Sequence, residues 1–119
     1  MRLLKMEIRE TLMPDRPEEL RRWLQENHRT KVEIWLVFYK KSSGGQTLTI
    51  PQAVEEALCF GWVQSRLKPL DPQRFAVRFS PRRKGSYWSP NNLARVRKLI
   101  VQGKMTNFGL AVLPADFKE

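Results

Sequence analysis

The chain contains one cysteine and one histidine in 119 residues. A lone Cys59 excludes an internal disulfide, which suits a reducing compartment, and a cytoplasmic location is expected. One His and one Cys also leave a conventional zinc site short of nitrogen and sulfur ligands, and no ligand spacing suggests a metal or other cofactor. Long apolar runs are missing too. Nothing approaches the roughly 20 residues that cross a hydrocarbon layer, so no transmembrane insertion is expected. The start, MRLLKMEIRE, interleaves basic and apolar residues without a small-residue cleavage site, so it does not read as a secretory signal. There is no internal repeat. The most informative scarcity is of acid: residues 66–104 hold eleven Lys or Arg and a single acid, Asp71.

Residues 1–65 nearly balance, with ten bases against nine acids, so the formal net charge of +10 is a local property. Such a region draws polyanions to it, and salt weakens the attraction. With 41% apolar residues, four Trp and six Phe, the chain can bury a core and is not expected to be disordered. Its length fits a single domain over residues 1–119, with 1–14 and 114–119 expected to be poorly ordered.

The patterning implies an α+β fold, a small mainly antiparallel sheet of three to four strands packed with about three helices. Residues 2–10 read as an edge strand or a loose lead-in. Asp15 and Glu18 have capping-box spacing before a helix over 17–28 with Leu20, Trp23 and Leu24 on its inner stripe. VEIWLVFYK (32–40) is apolar on both faces, which predicts an interior strand; KKSSGGQ then reads as a mobile loop. Thr49 and Gln52 form a second capping box, and Gly61 suits the left-handed stop of the helix that follows. Residues 62–68 and 74–80 read as a hairpin. Strict alternation would put Val63 and Leu67 in the core and gather Gln64, Arg66, Lys68, Arg74 and Arg78 on one basic face. Ser89 caps a last long helix with Pro90 first, Leu93, Val96, Leu99 and Ile100 inside, and Gly103 at its end. A short helix at 106–113 would close the core as a lid through Met105, Phe108, Leu110 and Leu113.

Three ordered blocks, ALCFGWVQS (57–65), FSPRRKGSYWSPNN (79–92) and LIVQGKMTNFGL (99–110), carry a resemblance, with WLQENH and IWLVFYKK upstream. Together they resemble the YdeI/OmpD-associated, or bacteriocin-protection, family over about residues 18–112. The resemblance marks Trp23, His28, Trp35, Cys59, Gly61, Trp62, Pro81, Arg82, Trp88, Ser89, Asn92, Gly103, Met105 and Gly109 as family-typical, and implies no settled activity. Gln64 stands where that family reads Asp, so a mechanism needing a carboxylate there is not expected. Longer members continue into a helical region that this chain does not reach, and a function housed there is expected to be absent.

The strongest candidate site is SPRRKGSYWSPNN. Arg82, Arg83 and Lys84 precede a capped helix start, where Ser86, Ser89 or Asn92 could donate to an anion gripped by Arg82. The same residues also admit a purely local role, Ser89 capping its own helix and the arginines pairing with acids. The basic hairpin face is the second candidate, with Trp62, Tyr87 and Trp88 as a stacking platform for single strands; core packing is the competing use of those tryptophans. Cys59, flanked by Leu58 and Phe60 at a helix end, reads as structural. His28 reads as a helix C-cap, where a cation is favoured. Glu55 and Glu56 point apart and make a poor acid/base pair.

The leading expectation is a non-catalytic binder of an anionic partner, a phosphate-containing ligand or nucleic acid, through Arg66, Lys68, Arg74, Arg78 and the Arg82–Ser89 loop. One alternative is an interaction module docking an acidic protein. Another is a small enzyme with a pocket between 61–64 and 81–92, its anionic substrate held by Arg82. The oligomeric state stays open.

Overall fold

The computed structural model describes residues 8–45 and 48–119, so the expected strand at 2–10 lies mostly outside them. The elements run β1 (Thr11–Leu12), α1 (Pro17–Asn27), β2 (Ile34–Tyr39), α2 (Ile50–Cys59), β3 (Trp62–Pro69), β4 (Arg74–Pro81), α3 (Pro90–Val101) and α4 (Asn107–Leu110), with a 3₁₀ turn at Lys41–Ser43. They form the expected α+β domain. The four strands lie in the order β1-β2-β4-β3. β1 runs parallel to β2 and the other pairs are antiparallel.

β2 is interior, as its two apolar faces require. Ile34, Leu36 and Phe38 pair with Phe79, Val77 and Phe75 and face the helices, joining Leu20, Leu24, Ala57, Leu58, Val96 and Leu99 in one core. The opposite face carries Trp35 and Val37 beside Arg78 and Ala76. Trp35 is 1% exposed, and its indole N–H has no acceptor among the described residues. The strand is shorter than 32–40, and Val32 stands in solvent.

Two of the three local cap signals hold. Thr49 Oγ1 accepts from Gln52 N–H at 3.3 Å while Gln52 Oε1 accepts from Thr49 N–H at 3.0 Å. Ser89 Oγ accepts from Asn92 N–H at 3.1 Å. The Asp15–Glu18 box does not form. The N-cap is Arg16, one residue later, so position N3 is Glu19, and its carboxylate accepts from Asp15 N–H at 2.9 Å.

The hairpin departs most from strict alternation. Between Gln64 and Leu67 a bulge adds one residue to β3, because Gln64 pairs with Phe79 but Leu67 with Val77. An extra residue exchanges the faces beyond it. Gln64 therefore lies on the helix side, Val63 opposite it beside Ser80, and Leu67 is 57% exposed at the free edge.

The C-terminal lid is also built differently. Met105 and Leu113 pack against the core as expected, but Phe108 and Leu110 are 46% and 41% exposed, and Gly109 is the buried residue of α4. A Cβ on Gly109 would lie 2.5 Å from the Cys59 carbonyl oxygen, so only glycine allows α4 to approach the end of α2. That carbonyl accepts from Thr106 N–H at 3.0 Å and Thr106 Oγ1 at 2.5 Å. In the tail, Phe117 packs against the core and under the Arg97 guanidinium, which donates to Lys118 O.

Candidate functional site

Arg82 is the residue on which the β4–α3 loop is organised. Its N–H donates to Gly61 O at 2.8 Å, fixing the loop to the turn after α2. Its Nη1 donates to Ser86 Oγ and Tyr87 O, both at 3.0 Å, and the guanidinium lies 3.7 Å from the centre of the Trp88 ring. The residue is 7% exposed, and Nε is buried with no partner among the described residues. Among the described residues no carboxylate is within ion-pair distance. Burial holds the guanidinium below its ordinary pKa. Stacking on a desolvated indole returns about 2 kcal/mol, less than the several kcal/mol that a buried unpaired ion costs. Arg83 and Lys84 follow as exposed cations, and Tyr87 is 80% exposed.

The hairpin cations do not assemble as expected. Arg78 Nε donates to Glu33 Oε1 at 2.6 Å, and Arg74 Nε to Asp71 Oδ2 at 2.9 Å, so both charges are matched within the fold. Asp71 is held below the usual carboxylate range by the N–H of Gln73 and by Arg74. Arg66 falls in the bulge, Lys68 alone shares a face with Arg74 and Arg78, and Gln64 has turned away. The stacking platform is reduced as well. Trp62 is 1% exposed and Trp88 8%, both in the core, which leaves Tyr87 as the surface aromatic.

A cleft of about 320 Å³ opens between α2, the first half of β3 and the start of α3. Ile50, Val54, Leu58 and Trp62 form its floor, while Gln64, Ser65, Ser89, Asn92 and Arg95 supply its polar rim. No acid, His or Cys lines it. Gln64 brings a neutral side-chain amide to that rim. Arg95 Nη1 donates to Asn92 Oδ1 at 2.9 Å, and Arg95 makes no ion pair among the described residues. This arginine was missed from sequence. Its only local sign is its place three residues after Asn92, on the flank beside the Leu93–Val96–Leu99 stripe.

A second cleft of about 390 Å³, on the other side of α2, is lined by Glu18, Arg21, Gln52, Glu55, Glu56 and Lys104 among others. Here both acids of α2 are matched. Glu56, 7% exposed, accepts from Arg21 Nη1 at 3.1 Å; Arg21 also donates to Lys104 O, and Glu55 meets Lys98 Nζ at 2.5 Å. Cys59 is fully buried. Burial pushes its thiol up in pKa, and Arg21 pulls it only part of the way back. A thiol held in that form is a poor nucleophile. His28 does end α1, its N–H donating to Leu24 O, but its ring lies 4.3 Å from Phe108 and 5.2 Å from Phe60. Burial and the neighbouring Arg29 lower its pKa, so the expected cationic cap is disfavoured. No group of three or more His, Cys, Asp or Glu among the described residues could hold a metal ion. No helix among them is long and apolar enough to cross a membrane.

Of the residues singled out from sequence, the fold brings Arg82, Arg83, Lys84 and Ser86 into one loop and Ser89 and Asn92 to the cleft beside it. Arg66 lies in the β3 bulge, and Lys68, Arg74 and Arg78 lie on the sheet face away from the helices. A family model described as a domain of unknown function (DUF8412) matches residues 12–112. No curated protein and no solved structure matches the chain.

Proposed function

The chain belongs to the family described as a domain of unknown function (DUF8412), and we propose that it is a non-catalytic binder of a phosphate-rich partner, docked on the β4–α3 loop. One observation carries the reading: Arg82 is a buried cation without a counter-ion among the described residues. The other buried charge, Glu56, has Arg21. An anion on the loop would offset a desolvation cost already present in the folded state, with Arg83 and Lys84 drawing it in. Exposed Tyr87 adds a surface on which a base can stack, which favours single-stranded nucleic acid within this class. The buried Cys59 thiol and the cleft without acid, His or Cys favour binding over catalysis. The same proposal includes a cytoplasmic setting and kinship with the YdeI/OmpD-associated family.

The test is titration of a labelled single-stranded oligonucleotide, followed by anisotropy at low and moderate salt. Saturable binding that weakens with salt, and falls at least tenfold in an Arg83→Glu/Lys84→Glu double variant, is expected. Absence of binding at low salt would sink the proposal, as would equal binding by the double variant.

A further inference from the structure

We propose that the cleft beneath β3 is a second binding site, for a small amphiphilic anion: a compact apolar body, the size of one ring, bearing a single carboxylate or phosphate. The inference goes beyond the loop reading and does not depend on it. Its volume, about 320 Å³, lies at the lower end of the roughly 300–1,000 Å³ that small-molecule sites occupy. Apolar side chains of Ile50, Val54, Leu58 and Trp62 back the floor; the last three are themselves buried and present only a narrow apolar strip, so the apolar body of the ligand must be small.

The rim decides the charge. Arg95 is its one ionised group, and no carboxylate faces it from α2, β3 or α3. Its Nη1 is committed to Asn92 Oδ1, which fixes the plane of the guanidinium, and its remaining donors have no acceptor among the described residues. A planar fork held in this way suits bidentate capture of a carboxylate or phosphate. Gln64, placed on this side by the β3 bulge, has a side-chain amide with no hydrogen bond among the described residues, and it can donate from the opposite wall. A cation would meet Arg95 without an acid to balance it. A neutral apolar molecule would leave the arginine fork unused.

The experiment follows amide and Trp62 indole signals in ¹H–¹⁵N spectra as phenyl phosphate or phenylacetate is added, with inorganic phosphate and phenol as controls. Both anionic aromatics should shift residues 62–65 and 91–95 saturably and bind at least tenfold more tightly than either control. Arg95→Gln should weaken them at least tenfold, whereas Arg22→Gln, which removes the same charge from exposed α1, should not. Arg95→Lys keeps the charge but loses the fork, and it serves as the second variant if Arg95→Gln does not fold; it too should bind more weakly. Phenol or inorganic phosphate binding as tightly as the anionic aromatics would overturn the proposal. So would unchanged affinity in the Arg95 variants, or shifts confined to residues 82–87, an outcome that would leave the loop reading standing.

Discussion

Helix α2 separates two clefts of similar size and opposite electrostatic completeness. On the side of Gln52, Glu55 and Glu56, each acid of the helix has a base on another element, and the buried Glu56 is held by Arg21. On the side of Ile50, Val54 and Leu58, the rim holds Arg95 and no acid, and the adjoining loop buries Arg82 with none. A cleft whose charges already match gains little electrostatically from a ligand. A side with unmatched charge can gain more, and at Arg82 the cost of desolvation has been met in folding. Surface potential alone would not separate the two, since both contain arginine.

The largest expected effect would break the comparison by damaging the core beneath the open cleft. Trp62 packs edge-on against Trp23, with ring centres 5.8 Å apart, and floors the open cleft. Trp62→Ala should cost about 3–5 kcal/mol in urea unfolding through lost burial and the cavity left behind. A variant of unchanged stability would move this tryptophan to the functional surface.

A smaller effect sharpens the contrast. Arg21→Met strands the Glu56 carboxylate, and should cost about 3 kcal/mol, the low end for a broken buried pair because Arg21 reaches solvent. Arg95→Met strands no acid, and should change stability by no more than about 0.5 kcal/mol. Equal losses from the two substitutions, measured by the same unfolding curves, would erase the distinction between closed and open clefts.

The smallest effect concerns pH. Burial among Phe60 and Phe108, with Arg29 beside it, depresses the His28 pKa in the folded chain below the ordinary value of about 6.5. Below that value the unfolded chain takes up the proton first, so stability is whole above about pH 6.5 and declines as pH falls toward the folded value. Comparing thermal melts of wild type and His28→Gln between pH 7.5 and 5.5 should show a steeper decline for wild type. Parallel curves would exclude the histidine as the cause.

Signals confined to a few neighbouring residues were legible in the sequence. Thr49 with Gln52, Ser89 with Pro90, and Gly61 after α2 each act within one helical turn, and each forms as read. The doubly apolar pattern of 34–39 likewise placed β2 inside the sheet. What the sequence hid depends on partners far along the chain. The extra residue in β3 shows only in its pairing with β4, and it moved Gln64 to the cleft and dispersed the expected basic face. Arg78 looked free because Glu33, which neutralises it, lies 45 positions away. Arg95 carries no motif, and only the meeting of α2, β3 and α3 gives it a role.

The contact between Gly109 and the Cys59 carbonyl has a temporal side. Phe60 and Gly61 close the Ala57 and Leu58 carbonyls locally, but the last carbonyl of α2, that of Cys59, is closed by Thr106, 47 residues downstream. Local helix formation can therefore begin at the Thr49 box, but the far end of α2 is finished only when a loop of nearly fifty residues has closed, a late and entropically costly event in folding.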